Sequence, residues 1–384
     1  MEFAAWAYPW DLRDEGIDTA IETLHDLGIT EVNLATNYHS VQAFTPHNPK
    51  RRTWFSRANS YFQPSNRYGE LRPVPNEKMD GNDWVMEIEE AFKDSPLRLN
   101  SWTIGCHNSR LGSQHPEYTL RTPHGDSLVF GLCPSQPEVQ RFLRTLVDDL
   151  DNRKTFDRIE LETFDYFYGT GFGWHHDKFH TQLGHLGEFL FGLCFCGACR
   201  SSAADAGIDV EKAQNICRTT IDDIAESMLP HDINVSDWLF NYPSVQAYVD
   251  HRMDTLTGLY QELANTVTNG ELGTYVGMLN VEDAWKHGLD LDALADPLDY
   301  ATVIAYENDA QSVVDRIRTA RRLTDVDLHV GILPAHPQIY DEVTVQNLVN
   351  AAVEEEVDRI SFYNYGLLPS RNLNWIRSAI EPHR

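Results

Sequence analysis

The chain has 384 residues, a formal net charge of −27 and 42% hydrophobic side chains, enough apolar material for one large domain or two ordinary ones. So acidic a chain repels nucleic acid and anionic lipid, and no apolar run approaches the roughly 20 residues that span a bilayer, which argues against nucleic-acid and membrane partners. The acids are spread along the whole chain, as on a salt-adapted surface, and the N-terminal segment lacks a basic stretch before an apolar one, so a cytoplasmic protein is expected.

A β-rich run, a loop and an amphipathic helix recur along the sequence. Strand one is expected over Phe3 to Tyr8, with Trp10 just beyond, and a helix from about Asp14 to Leu27 that Gly28 ends. Strand two, Glu31 to Thr36, runs out into Asn37, Tyr38 and His39. A loop rich in Pro, Arg, Asn and aromatics follows from Ser40 to Asn82. Loops that long inside a compact domain are usually functional, and Arg51, Arg52, Trp54, Arg57, Tyr61 and Arg67 are candidates to face a polar substrate. A helix from Asp83 to Lys93 leads to strand three, Leu97 to Ile104, and then to Cys106, His107 and Asn108. After a second irregular stretch, Gln136-Pro137-Glu138 opens a helix with proline in its first turn.

Strand four, Asp157 to Phe164, alternates apolar and acidic side chains, placing Ile159 and Leu161 on one face and Glu160 and Glu162 on the other. Two carboxylates on one face of a strand that otherwise reads as core are costly unless something needs them. The strand empties into a loop dense with aromatics and imidazoles, including Asp165, Tyr166, Trp174, His175 and His176, closed by Cys194, Cys196 and Cys199 in a C-x-C-x2-C pattern. Helices resume from about Val210 to Met228 and Ser244 to Thr268. Strand five is expected over Gly273 to Met278. Strand six, Tyr300 to Tyr306, precedes Glu307; strand seven, Leu328 to Leu333, precedes His336; strand eight, Arg359 to Tyr363, precedes Asn364 and Tyr365.

Eight strands alternating with helices, each ending in Tyr, His, Asn, Asp or Glu, predict an α/β fold, a (β/α)8 TIM barrel with all its strand ends on one face. A doubly wound open sheet is the rival, weakened because no Gly-rich phosphate loop follows strand one. The whole of 1–384 reads as a single barrel domain, with 164–240 as a long insertion after strand 4 that carries the Cys cluster.

In such a barrel Glu162 points into the mouth, and Glu160, deeper on the same face, is expected to support the catalysis there. Glu307 closes strand six, two positions around the barrel, where it can face Glu162 across a substrate-sized gap. Paired carboxylates are what glycosidic cleavage needs, one ionised and one holding a proton. The structural alternative pairs Glu160 or Glu307 with an interior arginine such as Arg158. Tyr8, Trp10, Asn37, His39, Trp102, His107, Asn108, Trp174, His175, His176, His336, Tyr363 and Tyr365 recur near strand ends. Rings that stack on sugar faces, with Asn and His bonding hydroxyls, suit a carbohydrate. The clustered thiols suggest Zn²⁺ held by Cys194, Cys196 and Cys199, with Cys217 or a histidine as the fourth ligand, while Cys106 and Cys133 read as core. No organic cofactor is expected.

Cys133-Pro134 followed by Pro137-Glu138-Val139 and Phe142, about twenty residues ahead of Ile159 to Glu162, resembles a unit of many glycoside-hydrolase-type barrels, in which such a helix start precedes a strand ending in a catalytic acid. The segments around Cys194 to Cys199 and Phe362 to Gly366 resemble uncharacterised members of that group. By resemblance to alpha-amylase and alpha-galactosidase barrels, Glu162 is the nucleophile and Glu307 the acid/base, although those families use Asp at both places. Strand seven carries no acid at its end, unlike the other large barrel clan. The expectation is therefore a salt-adapted enzyme cleaving a glycosidic bond in a small carbohydrate or glycoconjugate. The run from Leu24 to Val32 resembles metal-dependent sugar isomerases or epimerases, which form the second reading, with His175 and His176 as metal ligands; a non-catalytic carbohydrate-binding barrel is the third.

Overall fold

The computed structural model describes residues 1–169, 180–226, 229, 232–276 and 280–384. Eight parallel strands form its centre: β1 Glu2–Ala7, β2 Glu31–Tyr38, β3 Arg98–Ile104, β4 Arg158–Glu162, β5 Glu271–Val276, β6 Tyr300–Ile304, β7 Asp327–Ile332 and β8 Arg359–Phe362. Each pairs with its neighbours in sequence, and β8 returns to β1 with Glu2 opposite Arg359 and Ala5 opposite Phe362. The chain is thus a closed (β/α)8 TIM barrel, as its alternating pattern predicts.

Barrel strands are covered on both faces, so they bury polar and apolar residues alike; every residue of β2 and β6 is buried. The outer helices show why they dock. In Pro137–Asp151 the buried apolar side chains are Val139, Phe142, Leu143, Leu146, Val147 and Leu150, spaced to form one stripe, and proline opens the first turn.

Several elements differ from the sequence reading. The helix expected from Asp14 is divided at Gly16, whose φ of 104° no helix accommodates, into Pro9–Glu15 and Ile17–Leu27. The stretch from Ser40 to Asn82 contains a hairpin, Val41–Phe44 with Thr53–Ser56, and a two-residue strand, Asn59–Ser60, antiparallel to the end of β2. A second hairpin, Thr119–Arg121 with Ser127–Leu132, follows β3. A closing helix, Ser370–Ile380, was not anticipated, and the described residues between β5 and β6 form 3-10 turns rather than an α-helix. The insertion carries the helices Gly184–Gly192, Gly197–Asp205, Val210–Ala225 and Val235–Phe240. No helix of the described residues is long and apolar enough to cross a membrane.

The lower barrel is ionic. Fully buried Glu31 accepts hydrogen bonds from Arg158 at 2.7 Å, Arg359 at 3.0 Å and Asn100 at 2.8 Å. Burial alone would raise the Glu31 carboxyl, but Arg359 and Arg158 outweigh it and hold the group at about 2. Glu160 belongs to this layer. It was expected to support catalysis at the mouth, yet it is 1% exposed and ion-paired with the equally buried Arg359. The arginine that compensates it comes from β8, not from its neighbour Arg158, because Arg158 is engaged by Glu31, Glu2 and Glu271.

Candidate active site

Above the ionic layer the barrel narrows into a ring-lined cavity of about 160 Å³, bounded by Trp6, Tyr38, His39, Trp102, Glu162, Tyr275, Ile304, Tyr306 and Tyr363. An apolar cavity of about 150 Å³ accepts a six-membered ring such as benzene. Two glycines let rings pack against the strands, Gly331 at the cavity wall and Gly273 against Tyr300, which is not part of that wall. A Cβ on Gly331 of β7 would sit 2.8 Å from the Trp6 ring, and one on Gly273 of β5 would sit 2.2 Å from the Tyr300 ring.

Glu162 is the acid in the cavity wall. It ends β4 opposite Ile104 of β3, is 8% exposed, and accepts a hydrogen bond from Trp102 Nε1 at 2.5 Å. Burial pushes its carboxyl up to about 7; the Trp102 donor opposes the shift and the nearby Glu160 charge adds to it. The next residue, Thr163, has φ 52°, and a β-branched side chain in the left-handed region is strained. The chain therefore turns sharply as it leaves Glu162, and the cost of that turn sits beside the carboxylate.

The aromatic wall is anchored from below. Trp6 Nε1 donates to the Tyr275 hydroxyl at 2.5 Å, and that hydroxyl donates to Glu160 at 2.5 Å. Arg359 fixes Glu160, so the ionic floor orients two rings of the cavity through one line of hydrogen bonds. Across the mouth, the hydroxyls of Tyr8 and Tyr38 lie 3.1 Å apart, and those of Tyr8 and Tyr363 lie 3.2 Å apart. Glu160 thus acts beneath the site rather than in it.

Of the residues predicted to bind substrate, the barrel brings His39, Trp102 and Tyr363 to the cavity wall with Glu162. Trp10 is sandwiched in the core between Tyr8 at 4.1 Å and Trp54 at 4.7 Å, and Tyr8 reaches the mouth only through its hydroxyl. Asn37 donates to the Ile104 carbonyl at 2.6 Å, and Asn108 caps the short helix Ser109–Gln114. His107 stacks between His39 and Phe167 as a buried support for the wall. His336 pairs with Tyr340 at the surface, and Tyr365 donates to Glu15. Trp174, His175 and His176 lie outside the described residues.

Glu307 is half-buried just past β6 and forms an ion pair with Arg316 of the helix Ala310–Leu323. It is not part of the cavity wall described above. Asp165, named in the sequence only as a loop acid, is more closely tied to Glu162. Burial and then the Glu162 charge raise its carboxyl to about 7, with Arg252 opposing both. Its Oδ1 lies 3.9 Å from His287 Nδ1. No sequence signal singled it out, because its environment comes from Arg252 and His287, far along the chain.

The thiol cluster has a different fourth member from the one expected. Cys133, Cys194, Cys196 and Cys199 are all buried, and their sulfurs lie within 4.8 Å of one another. Cys133 Sγ stands 3.5 Å from Cys199 and 3.6 Å from both Cys194 and Cys196. Tetrahedral zinc, with Zn–S bonds of about 2.3 Å, sets its sulfurs about 3.8 Å apart, so the four thiols fit a closed metal site. Cys217 is excluded because it lies on Val210–Ala225, buried in the packing of that helix near Arg252. Cys133 replaces it: the hairpin ending at Leu132 delivers it beneath the insertion.

No known protein family matches the sequence, and no curated protein matches it. Solved structures of similar fold include the beta-galactosidase of the psychrophilic Marinomonas ef1, with a TM-score of 0.62 at 11% identity over 100% of this chain and 60% of that one. The PgaB (BpsB) glycoside hydrolase domain from Bordetella bronchiseptica gives 0.60 at 11% identity, covering 99% of this chain and 98% of that one. The catalytic domain of beta-amylase from Paenibacillus polymyxa gives 0.58 at 10% identity, covering 100% and 98%. The chain spans 60% of the length of the galactosidase. What it shares with these glycoside hydrolases, at such identities, is the barrel.

Proposed function

We propose that the chain is a glycoside hydrolase acting on a small carbohydrate or glycoconjugate, with Glu162 as its proton donor. The observation that carries this reading is a single carboxyl, raised to about 7, in the wall of a ring-lined cavity at the C-terminal end of a barrel strand. A group that keeps its proton near neutral pH can give it to a leaving glycosidic oxygen, and the rings offer flat faces for a sugar. Resemblance assigned Glu162 the nucleophile's role; its raised pKa suits the acid better, since a nucleophile must be ionised.

The second carboxylate is Glu307, just past β6; Asp165 feels the Glu162 charge, but its own carboxyl is raised to about 7, so by the same argument it makes the poorer nucleophile and stands as the rival only. A separation of about 5–5.5 Å would give retention and about 6.5–9.5 Å inversion. Zinc at Cys133, Cys194, Cys196 and Cys199 would be structural, pinning the insertion against the hairpin after β3; the four thiolates fill its coordination and leave no open position for catalysis. The acidic surface is read as salt adaptation in the cytoplasm. Against the sugar-isomerase alternative, neither group of described residues suited to a metal includes Glu162.

The test is hydrolysis of a panel of aryl glycosides by the wild type and by Glu162→Gln, Glu307→Gln and Asp165→Asn. A loss of about 10²–10⁴-fold in Glu162→Gln supports the acid role. Whichever of the other two variants falls comparably is its partner. Undiminished turnover in Glu162→Gln would remove the reading.

A further inference from the structure

A second cleft, of about 470 Å³, opens beside the mouth and is lined by Phe55, Arg57, Asn59, Glu77, Lys78 and Arg110, among others. Its charge runs against the rest of the molecule. Three cations face one acid there, in a chain whose formal net charge is −27. Glu77 is exposed and forms a long ion pair with Arg110 at 3.7 Å, the one such pair among the cleft's described residues. Arg57 forms no ion pair among the described residues.

Lys78 is held in place: its ammonium lies 3.5 Å from the centre of the Trp54 ring and donates to the Phe55 carbonyl at 3.0 Å. Its pKa is lowered by burial and then by the neighbouring Arg51, with Asp14 opposing. Phe55 presents a ring that is 60% exposed, a flat platform of the kind sugars stack on.

One seam joins this cleft to the Glu162 cavity. Ser40, adjacent to the cavity residue His39, bonds Ser109 Oγ at 3.0 Å and accepts from the Ala58 amide at 3.0 Å. Ser109 precedes Arg110, and Ala58 lies between Arg57 and Asn59, so the two hollows share a wall. A glycan with one ring in the inner cavity would extend past that wall into the basic cleft.

We propose that this cleft is a subsite for an anionic sugar unit, bearing a carboxylate or a sulfate ester, on the glycan whose bond Glu162 cleaves; the inference rests on the hydrolase reading. Arg57, Lys78 and Arg110 recognise the acid group and Phe55 carries its ring.

The test is calorimetric titration of the Glu162→Gln protein with glucuronate-containing, sulfated and uncharged oligosaccharides of equal length. Anionic glycans should bind at least tenfold more tightly than uncharged ones. Arg57→Gln and Lys78→Gln, each with its melting temperature checked, should each cost about tenfold, the worth of one charge-assisted contact. The better of the two anionic series identifies the acid group. Equal affinity for charged and uncharged glycans, no binding of any of them, or a preference that survives the double substitution would overturn the subsite. If anionic glycans bind through Arg57 and Lys78 while no glycoside is ever hydrolysed, the subsite stands and the hydrolase reading falls. Hydrolysis without an anionic preference gives the reverse.

Discussion

Replacing Glu162 by glutamine should make the protein more stable at alkaline pH while disabling it. The folded carboxyl titrates near 7 against 4.5 for the free group, because burial penalises its charge more than Trp102 relieves it. Below pH 4.5 both folded and unfolded chains hold the proton, and Glu162 contributes no pH dependence. As pH rises toward 7 the unfolded chain releases the proton while the folded chain keeps it, so stability falls; above 7 the folded protein carries the full penalty. A shift from 4.5 to about 7, at about 1.36 kcal/mol per unit, amounts to about 3 kcal/mol. Glutamine can still accept from Trp102 Nε1 and has no charge to desolvate. With an unfolding entropy of about 2.1 cal/mol/K per residue over 384 residues, that energy corresponds to a melting-temperature difference of about 4 °C. Calorimetric melts of both proteins from about pH 4 to about pH 9 read it directly. The variant's advantage should grow through the interval from 4.5 to 7 and then level off. A difference that stays constant with pH, or that shrinks, would show that Glu162 is not a buried neutral acid.

The other expectations concern the parts that hold the site. Cys133→Ser should abolish metal binding and lower the melting temperature, whereas Cys217→Ser should leave metal content unchanged; elemental analysis of the purified proteins decides, and equal zinc in both variants would contradict the four-thiol assignment. Arg359→Met leaves Glu160 and Glu31 without a shared cation and should cost about 3–5 kcal/mol in denaturant titrations, a cost that a loss below about 1 kcal/mol would refute. Stability should also fall as pH drops from 4.5 toward 2, because Glu31 is held at about 2 and its contribution, about 3 kcal/mol, is lost on protonation. Gly331→Ala places a methyl group 2.8 Å from the Trp6 ring, so it should cost about 1–3 kcal/mol and reduce kcat/KM by displacing a cavity wall; unchanged kinetics would show that the Trp6 position does not matter.

The barrel was legible because its signal is local and repeated. Short strands alternate with helices such as Pro137–Asp151, whose buried apolar residues form one stripe, and the pattern recurs along the chain. Glu162 was legible for the same reason, since period-two alternation sets its face and its place at the end of β4 sets its depth. What failed to show were facts made by distant partners. The role of Glu160 is decided by Arg359, nearly 200 residues later, whereas its neighbour Arg158 pairs with Glu2, Glu31 and Glu271 instead. Cys133 looked like core because it stands 61 residues ahead of Cys194, and only the hairpin after β3 brings the two sulfurs to 3.6 Å. Trp10 and Tyr365 illustrate the opposite error: an aromatic near a strand end can pack inward as readily as it lines a site, and these two are buried.

The most direct measurement is a crystal structure of Glu162→Gln soaked with an aryl glycoside that the wild type cleaves. The account predicts a sugar ring against the cavity wall of Trp6, Trp102 and Tyr363, with its glycosidic oxygen within hydrogen-bond reach of the side chain at 162, about 2.6–3.2 Å. A sugar bound elsewhere, with the 162 side chain still closed against Trp102 and out of reach of the scissile oxygen, would contradict it.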